Sequence, residues 1–219
     1  MIIDFGTRTV QSKIVFYGGA MSGKTTALQA LYKHFNSLGL QVEPLVSIET
    51  SHEKDRRTLF YDFSTFDLKF GIWKMKLNFW TATGQDFYCA TRTTVLQGTD
   101  GVIFVADSQE SLFEENLKSW SELNAFFGSR LESIIPVVVC LNKRDLSKKI
   151  TSESLKETLG LIQSTPIFET IAITSQNLYP AFKRLLEKIF QVHKSAKITI
   201  MKQLKDYPNV KSALKNIEL

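Results

Sequence analysis

Cysteine is scarce: Cys89 and Cys140 are the two present in 219 residues, too few for a disulfide framework. The three histidines, His34, His52 and His193, are scattered and make no metal-ligand spacing. No Ser-His-Asp set and no paired carboxylates stand out. No apolar run comes near the roughly 20 residues that cross a bilayer. Met1-Ile2-Ile3-Asp4 lacks the pattern of a signal peptide and the glycine that myristoylation needs, and Asn216-Ile217-Glu218-Leu219 carries no prenylation box. There is no repeat and no low-complexity stretch. With 43% hydrophobic and 22% charged residues, collagen-like, fibrous and wholly disordered chains are excluded. What remains is a cytoplasmic chain long enough to build a sizeable core.

Lys and Arg number 27 against 22 Asp and Glu, a formal charge of +5. Most of that surplus lies in residues 194–219, where Lys194, Lys197, Lys202, Lys205, Lys211 and Lys215 face Asp206 and Glu218. The body is near neutral, so no nucleic-acid partner is expected. The chain divides into a body at 1–193, its first element near residue 10, and a basic C-terminal extension at 194–219, helical or partly disordered and broken near Pro208. A solvated tail, a docked helix and a weak contact with a membrane surface or an acidic protein all stay open, so the location is cytoplasmic with a peripheral membrane contact as the alternative.

Short β-type runs alternate with helical patterns, the mark of a doubly wound α/β domain. Ser12 to Tyr17 reads as the first strand. A Gly-rich turn follows, then a helix with Leu28, Leu31, Phe35 and Leu38 on one face, stopped by Gly39. Residues 59–66 and 75–80 read as an antiparallel hairpin through Gly71. Val102 to Ala106 and Pro136 to Leu141 are nearly continuous apolar runs, as in strands buried on both faces of a parallel sheet. Phe113, Leu117, Trp120, Leu123 and Phe127 have helical spacing. A short strand near 167–173 precedes a last core-facing helix marked by Leu178, Phe182, Leu185, Leu186 and Ile189.

Gly18-Gly19-Ala20-Met21-Ser22-Gly23-Lys24-Thr25 matches G-x-x-x-x-G-K-[ST], with a strand running in and a helix running out. The glycines let successive N–H groups of residues 18–23 turn inward toward phosphate oxygens, reinforced by the helix N-terminus, where Thr26 follows. Lys24 would reach the β- and γ-phosphates, and the Thr25 hydroxyl would ligate Mg²⁺. Downstream, Asn142-Lys143-Arg144-Asp145 ends an apolar run. A carboxylate there can accept from both N1–H and the exocyclic amine of guanine, a donor pair that adenine lacks. Asn142 would tie this loop to the phosphate loop, with the Lys143 stem along the base. An ATP-dependent enzyme is the weaker alternative.

These motifs, in this order, resemble Ras-like small GTPases over residues 11–192. Thr81-Ala82-Thr83-Gly84-Gln85-Asp86, Thr58 to Phe63 and Gly101 to Gln109 are most similar to the bacterial gliding-polarity (MglA-type) GTPases, which also carry Thr where the superfamily has the D-x-x-G aspartate. The ADP-ribosylation-factor group shares the segment around Asp107-Ser108 but normally keeps that aspartate and has an amphipathic N-terminal helix. The resemblance implies a P-loop NTPase three-layer α/β/α fold with a mostly parallel six-stranded sheet and one antiparallel edge strand. It implies GTP/GDP and Mg²⁺ as ligands and a molecular switch in polarity, motility or transport. It further implies an effector or a roadblock/LC7-type regulator at the switch regions. Gln85 matches the water-positioning glutamine, beside Gly84. Thr58 matches the switch threonine on Mg²⁺, and Arg57 matches an intrinsic arginine finger. Ala172 would offer its N–H to guanine O6, although Ile171 lacks the usual serine hydroxyl.

Thr81 in place of the aspartate raises a second reading, a nucleotide-bound interaction module with little turnover. Asp107 either supports Mg²⁺ from a distance or caps the segment after it. Cys140 reads as core, and Cys89 has no visible role. The aromatic-rich hairpin, Phe60 through Trp80, reads first as core, and Phe66, Phe70 and Trp73 near its turn are the candidates for the alternative, an exposed apolar strip offered to partners.

Overall fold

The chain opens with a short strand, β1 (Ile2–Asp4), folded back antiparallel on β2 (Thr9–Tyr17). The structure is a computed structural model that describes residues 1–38, 41–42, 46–48, 61–70, 72–82 and 89–194. Alternation along β2 sends Val10, Ile14 and Phe16 to one face and Val15 and Tyr17 to the other. Parallel to β2 on either side run β6 (Trp73–Thr81) and β7 (Gly101–Asp107), and β8 (Val137–Asn142) and β9 (Ile167–Glu169) extend the sheet beyond β7. On the far side, β5 (Tyr61–Phe70) is antiparallel to β6, and β3 (Gln41–Val42) and β4 (Val46–Ile48) are antiparallel to β5. The order is β3-β5-β6-β2-β7-β8-β9.

Helices cover both faces. Leu28, Leu31 and Phe35 of α1 (Lys24–Ser37) share one core with Phe182, Leu185 and Ile189 of α5 (Leu178–Val192). On the other face lie Val95 and Leu96 of α2 (Cys89–Leu96), Trp120, Leu123 and Phe127 of α3 (Phe113–Phe127), and Leu155 and Leu159 of α4 (Ser152–Leu159). Covered on both sides, β7 and β8 bury every residue, which is why both read as unbroken apolar runs. The three-layer α/β/α architecture and the mostly parallel sheet are those expected.

The strand count is not. Among the described residues nine strands are present where six were expected. Of the additions, β1, β3 and β4 are two or three residues long and exist because a longer neighbour offers a free edge, a cause that a local pattern does not carry. Helix α4 had no reading either, although its ends are signposted. The Thr151 side chain accepts from the Ser154 N–H, and Gly160 closes the helix in the left-handed conformation.

On the hairpin the core reading holds for Phe66 and Trp73, and the alternative of an apolar strip exposed there is corrected. Phe66 is buried against Phe35 and Phe79, with ring centroids 4.9 and 4.6 Å away. Trp73 is buried as well, its ring edge-on to Phe5. Odd-numbered residues of β6 all face the α1–α5 core, and Phe66 pairs with Leu77 on that same face. Partly exposed Lys74, Lys76, Asn78 and Trp80 alternate with them on the opposite face. The Phe70 side chain lies outside the described residues.

Candidate functional site

Because β2, β7, β8 and β9 are parallel, the loops at their carboxyl ends gather along one edge of the sheet, where open α/β folds place their ligands. The loop after β2 needs its glycines. Gly18 has φ +146°, and a Cβ there would sit 2.2 Å from the Val105 carbonyl oxygen. Gly23 has φ +102°, and its Cβ would meet Asn142 Nδ2 at 2.3 Å. Between them Gly19 and Ser22 are buried, Ala20 is exposed, and Met21 stands out at 85% exposure with φ +58°. The Lys24 ammonium is buried and donates to the Gly18 and Gly19 carbonyls at 3.0 and 2.6 Å, so it lies across the mouth of the loop. Thr25 is exposed on the first turn of α1, whose N-terminal N–H groups point into the same space.

Asn142 joins the two motifs. Its Nδ2 donates to the Ser22 carbonyl at 2.8 Å, and its Oδ1 accepts from Thr170 Oγ1 at 3.2 Å and from the Ala172 N–H at 3.0 Å. One 98%-buried side chain thereby ties together the phosphate loop, the end of β8 and the segment after β9. The Ala172 N–H, expected to face guanine O6, has this partner inside the protein instead. Next to it lies a cleft of about 330 Å³ lined by Met21, Gly23, Thr26, Asn142, Lys143, Asp145, Leu146, Ala172 and Ile173. Asp145 is exposed on its wall, free to meet a ligand from solvent. Apolar Met21, Leu146 and Ile173 are well exposed on the same rim and suit the faces of a flat ring. An acceptor carboxylate, apolar walls and an adjoining amide-lined loop fit a purine carrying phosphates.

Neighbouring groups hold the loop after β8. Lys143 has φ +64°, and its ammonium pairs with Asp107 Oδ2 at 2.6 Å. Asp107 Oδ1 accepts from the Gln109 N–H at 3.0 Å, so the capping alternative for Asp107 holds, with a lysine partner that the sequence did not suggest. Arg144 pairs with Glu169 at 2.9 Å and donates to the Ile150 carbonyl.

Thr81 is buried at the end of β6, opposite Phe16 of β2. Arg57, Thr58, Gly84 and Gln85 lie outside the described residues. Among the described residues no group of three or more His, Cys, Asp and Glu could hold a metal. Cys140 is core: burial pushes its thiol up to about 12. No helix among the described residues is long and apolar enough to cross a membrane.

A glycine-bent loop opening a helix, clamped by an asparagine at a strand end with an exposed carboxylate just beyond it, is consistent with a P-loop GTPase fold. Residues 2–189 match the ADP-ribosylation factor family, and the chain belongs to it. It is 33% identical over 191 residues, 85% of this chain and 94% of the relative, to the mutual gliding-motility protein MglA of Myxococcus xanthus (strain DK1622). It is also similar to ADP-ribosylation factor-like protein 6 of Caenorhabditis elegans, 29% over 189 residues, covering 84% and 90% of the two chains. Human Ras-related protein Rab-25 is 27% identical over 183 residues, 81% of this chain and 76% of that one. The protein is therefore a GTP-binding switch of the GTP-hydrolysing kind, which takes a guanine nucleotide and effectors or regulators.

Proposed function

We propose that this chain cycles between GTP- and GDP-bound forms and passes the difference to a partner in polarity, motility or transport. The observation that carries the reading is the three-way hold of Asn142 on Ser22, Thr170 and Ala172 beside Asp145. It gives one rigid frame to the group that reads the base and the loop that takes the phosphates. Lys24 and the loop amides offset charge on the β- and γ-phosphates, and Asp145 accepts from guanine N1–H and its amine. Thr25 and Thr58 would hold Mg²⁺, which supplies further charge neutralisation when bound. Gln85 orients the attacking water and Arg57 meets charge building on the γ-phosphoryl oxygens. A positive group of that kind is worth about 10³ to 10⁵ in rate.

By its likeness to the gliding-motility relative, the regulator is a small roadblock/LC7-type dimer at the switch regions. The extension at 194–219, with its six lysines, supports a weak contact with an anionic membrane surface. Single-turnover hydrolysis by the purified protein tests the catalytic part: Gln85→Leu and Arg57→Ala should each slow it at least tenfold. Rates unchanged in both variants would instead favour the second reading, a nucleotide-bound interaction module, which the buried threonine at position 81 supports.

A further inference from the structure

Asp107 is buried, its side chain 3% exposed, at the carboxyl end of β7. An unpaired carboxylate there would carry a large desolvation cost; the charged partner that relieves it is Lys143, 2.6 Å away across the strand ends, with the Gln109 side-chain amide donating at 3.2 Å to Oδ1 and 3.4 Å to Oδ2. Every other polar group of Asp107 is also engaged. Its N–H donates to Asn116 Oδ1 at 2.9 Å, and its carbonyl accepts from Asn116 Nδ2 at 2.8 Å, which fastens the residue to α3. Oδ1 accepts from the Gln109 N–H at 3.0 Å. The next residue holds the backbone on the other side: the Ser108 hydroxyl donates to the Lys143 carbonyl at 3.0 Å, and the Ser108 N–H to the Asn142 carbonyl at 2.9 Å.

Lys143 is thus gripped at both ends, in a left-handed conformation that a side chain rarely adopts without support. With its ammonium on Asp107 and its backbone on Ser108, the stem has one course, along the wall of the base cleft. Released from Asp107, the four-carbon stem would regain its rotamers, and ordering it again would fall on every nucleotide that binds.

We propose that Asp107 is a positioning residue for guanine-nucleotide retention, acting through Lys143 by fixing its stem as a wall of the base cleft. The inference rests on the guanine reading of that cleft. Asp107→Asn is the informative change, because the amide oxygen can keep the Gln109 N–H while the ion pair is lost. Dissociation constants for fluorescent GDP and GTP are measured on wild type, Asp107→Asn, Lys143→Met and the double variant. Loss of a charge-assisted contact predicts roughly tenfold weaker binding in each single variant. It also predicts that the double variant binds no more weakly than Lys143→Met alone.

Wild-type affinity in Asp107→Asn overturns the inference, and so does a loss of the same factor in the Lys143→Met background, which would mark a merely structural role. If Asp107→Asn does not fold, Asp107→Ser goes through the same cycle with the same criteria. Wild-type protein that binds neither GDP nor GTP would sink the guanine reading itself, and the inference with it.

Discussion

The side-chain amide of Asn142 lies directly behind Gly23, so close that a methyl group on that glycine would approach its Nδ2 to 2.3 Å. The two residues are 119 positions apart, yet each sets what the other is allowed to be. Glycine is needed for the left-handed turn at φ +102°, and it also leaves the room through which Asn142 reaches the Ser22 carbonyl.

Gly23→Ala should therefore damage both motifs at once. Overpacking of this kind costs about 1–3 kcal/mol. The displaced asparagine would also release Ser22 and Ala172. The expected result is a lower unfolding midpoint together with loss of measurable guanine-nucleotide binding by calorimetry. A variant that keeps wild-type affinity would show that the contact between the loops is unimportant.

In the proposed function Asp145 is the group on the cleft wall that discriminates between bases. Asp145→Asn exchanges an acceptor for a donor where guanine presents its exocyclic amine, while the amide oxygen can still accept from N1–H. Losing two charge-assisted contacts should weaken GTP roughly 100-fold or more. Xanthosine triphosphate, with an acceptor at the exocyclic position, should become the better ligand. Competition between the two triphosphates for the purified variant measures this directly, and retained guanine preference would remove Asp145 from the base-reading role.

The core makes a prediction independent of nucleotide. The Phe182 ring sits 5.3 Å from Phe35 and 5.7 Å from Phe79, centroid to centroid, joining α5 to α1 and the sheet. It is 1% exposed. Phe182→Ala should cost about 3–5 kcal/mol, read from denaturant unfolding. Phe182→Leu should recover most of that loss, because it leaves the smaller cavity.

His193, just beyond α5, has its protonation pushed below the ordinary 6.5, first by burial and then by the Met1 amino group, with Asp100 opposing. Its folded pKa lies under the unfolded one, so in the window below 6.5 the unfolded chain binds the proton more readily. Stability from this group is complete above that window and is lost as the pH falls through the folded pKa. His193→Gln should accordingly lose less stability than wild type between neutral pH and pH 5, in melting curves taken at matched ionic strength. Parallel curves would show that the histidine plays no part.

Much of the molecule was legible along the chain. The apolar runs at 102–106 and 136–141 became fully buried parallel strands, since a strand covered on both faces has no polar side to show. The helical spacing from Phe113 to Phe127 marked α3 from end to end. Phe66 and Trp73 kept two readings, core and exposed strip, because an aromatic hairpin looks the same whether its apolar face meets solvent or a helix; both are core. The hold on the Ala172 N–H was equally hidden, since Asn142 is 30 positions away.

The sequence alone determined the parts whose causes are local: the glycines that permit a curled loop, the lysine and threonine that follow it, the carboxylate after a strand, and the periodicities that separate strand from helix. Tertiary structure decided which of these meet. It laid β1 along β2, turned one face of the hairpin inward, joined Asp107 to Lys143 and set Asn142 behind Gly23. Such contacts depend on distances between residues far apart in the chain, set when helices and strands bury their apolar faces against one another, and no short stretch carries that information.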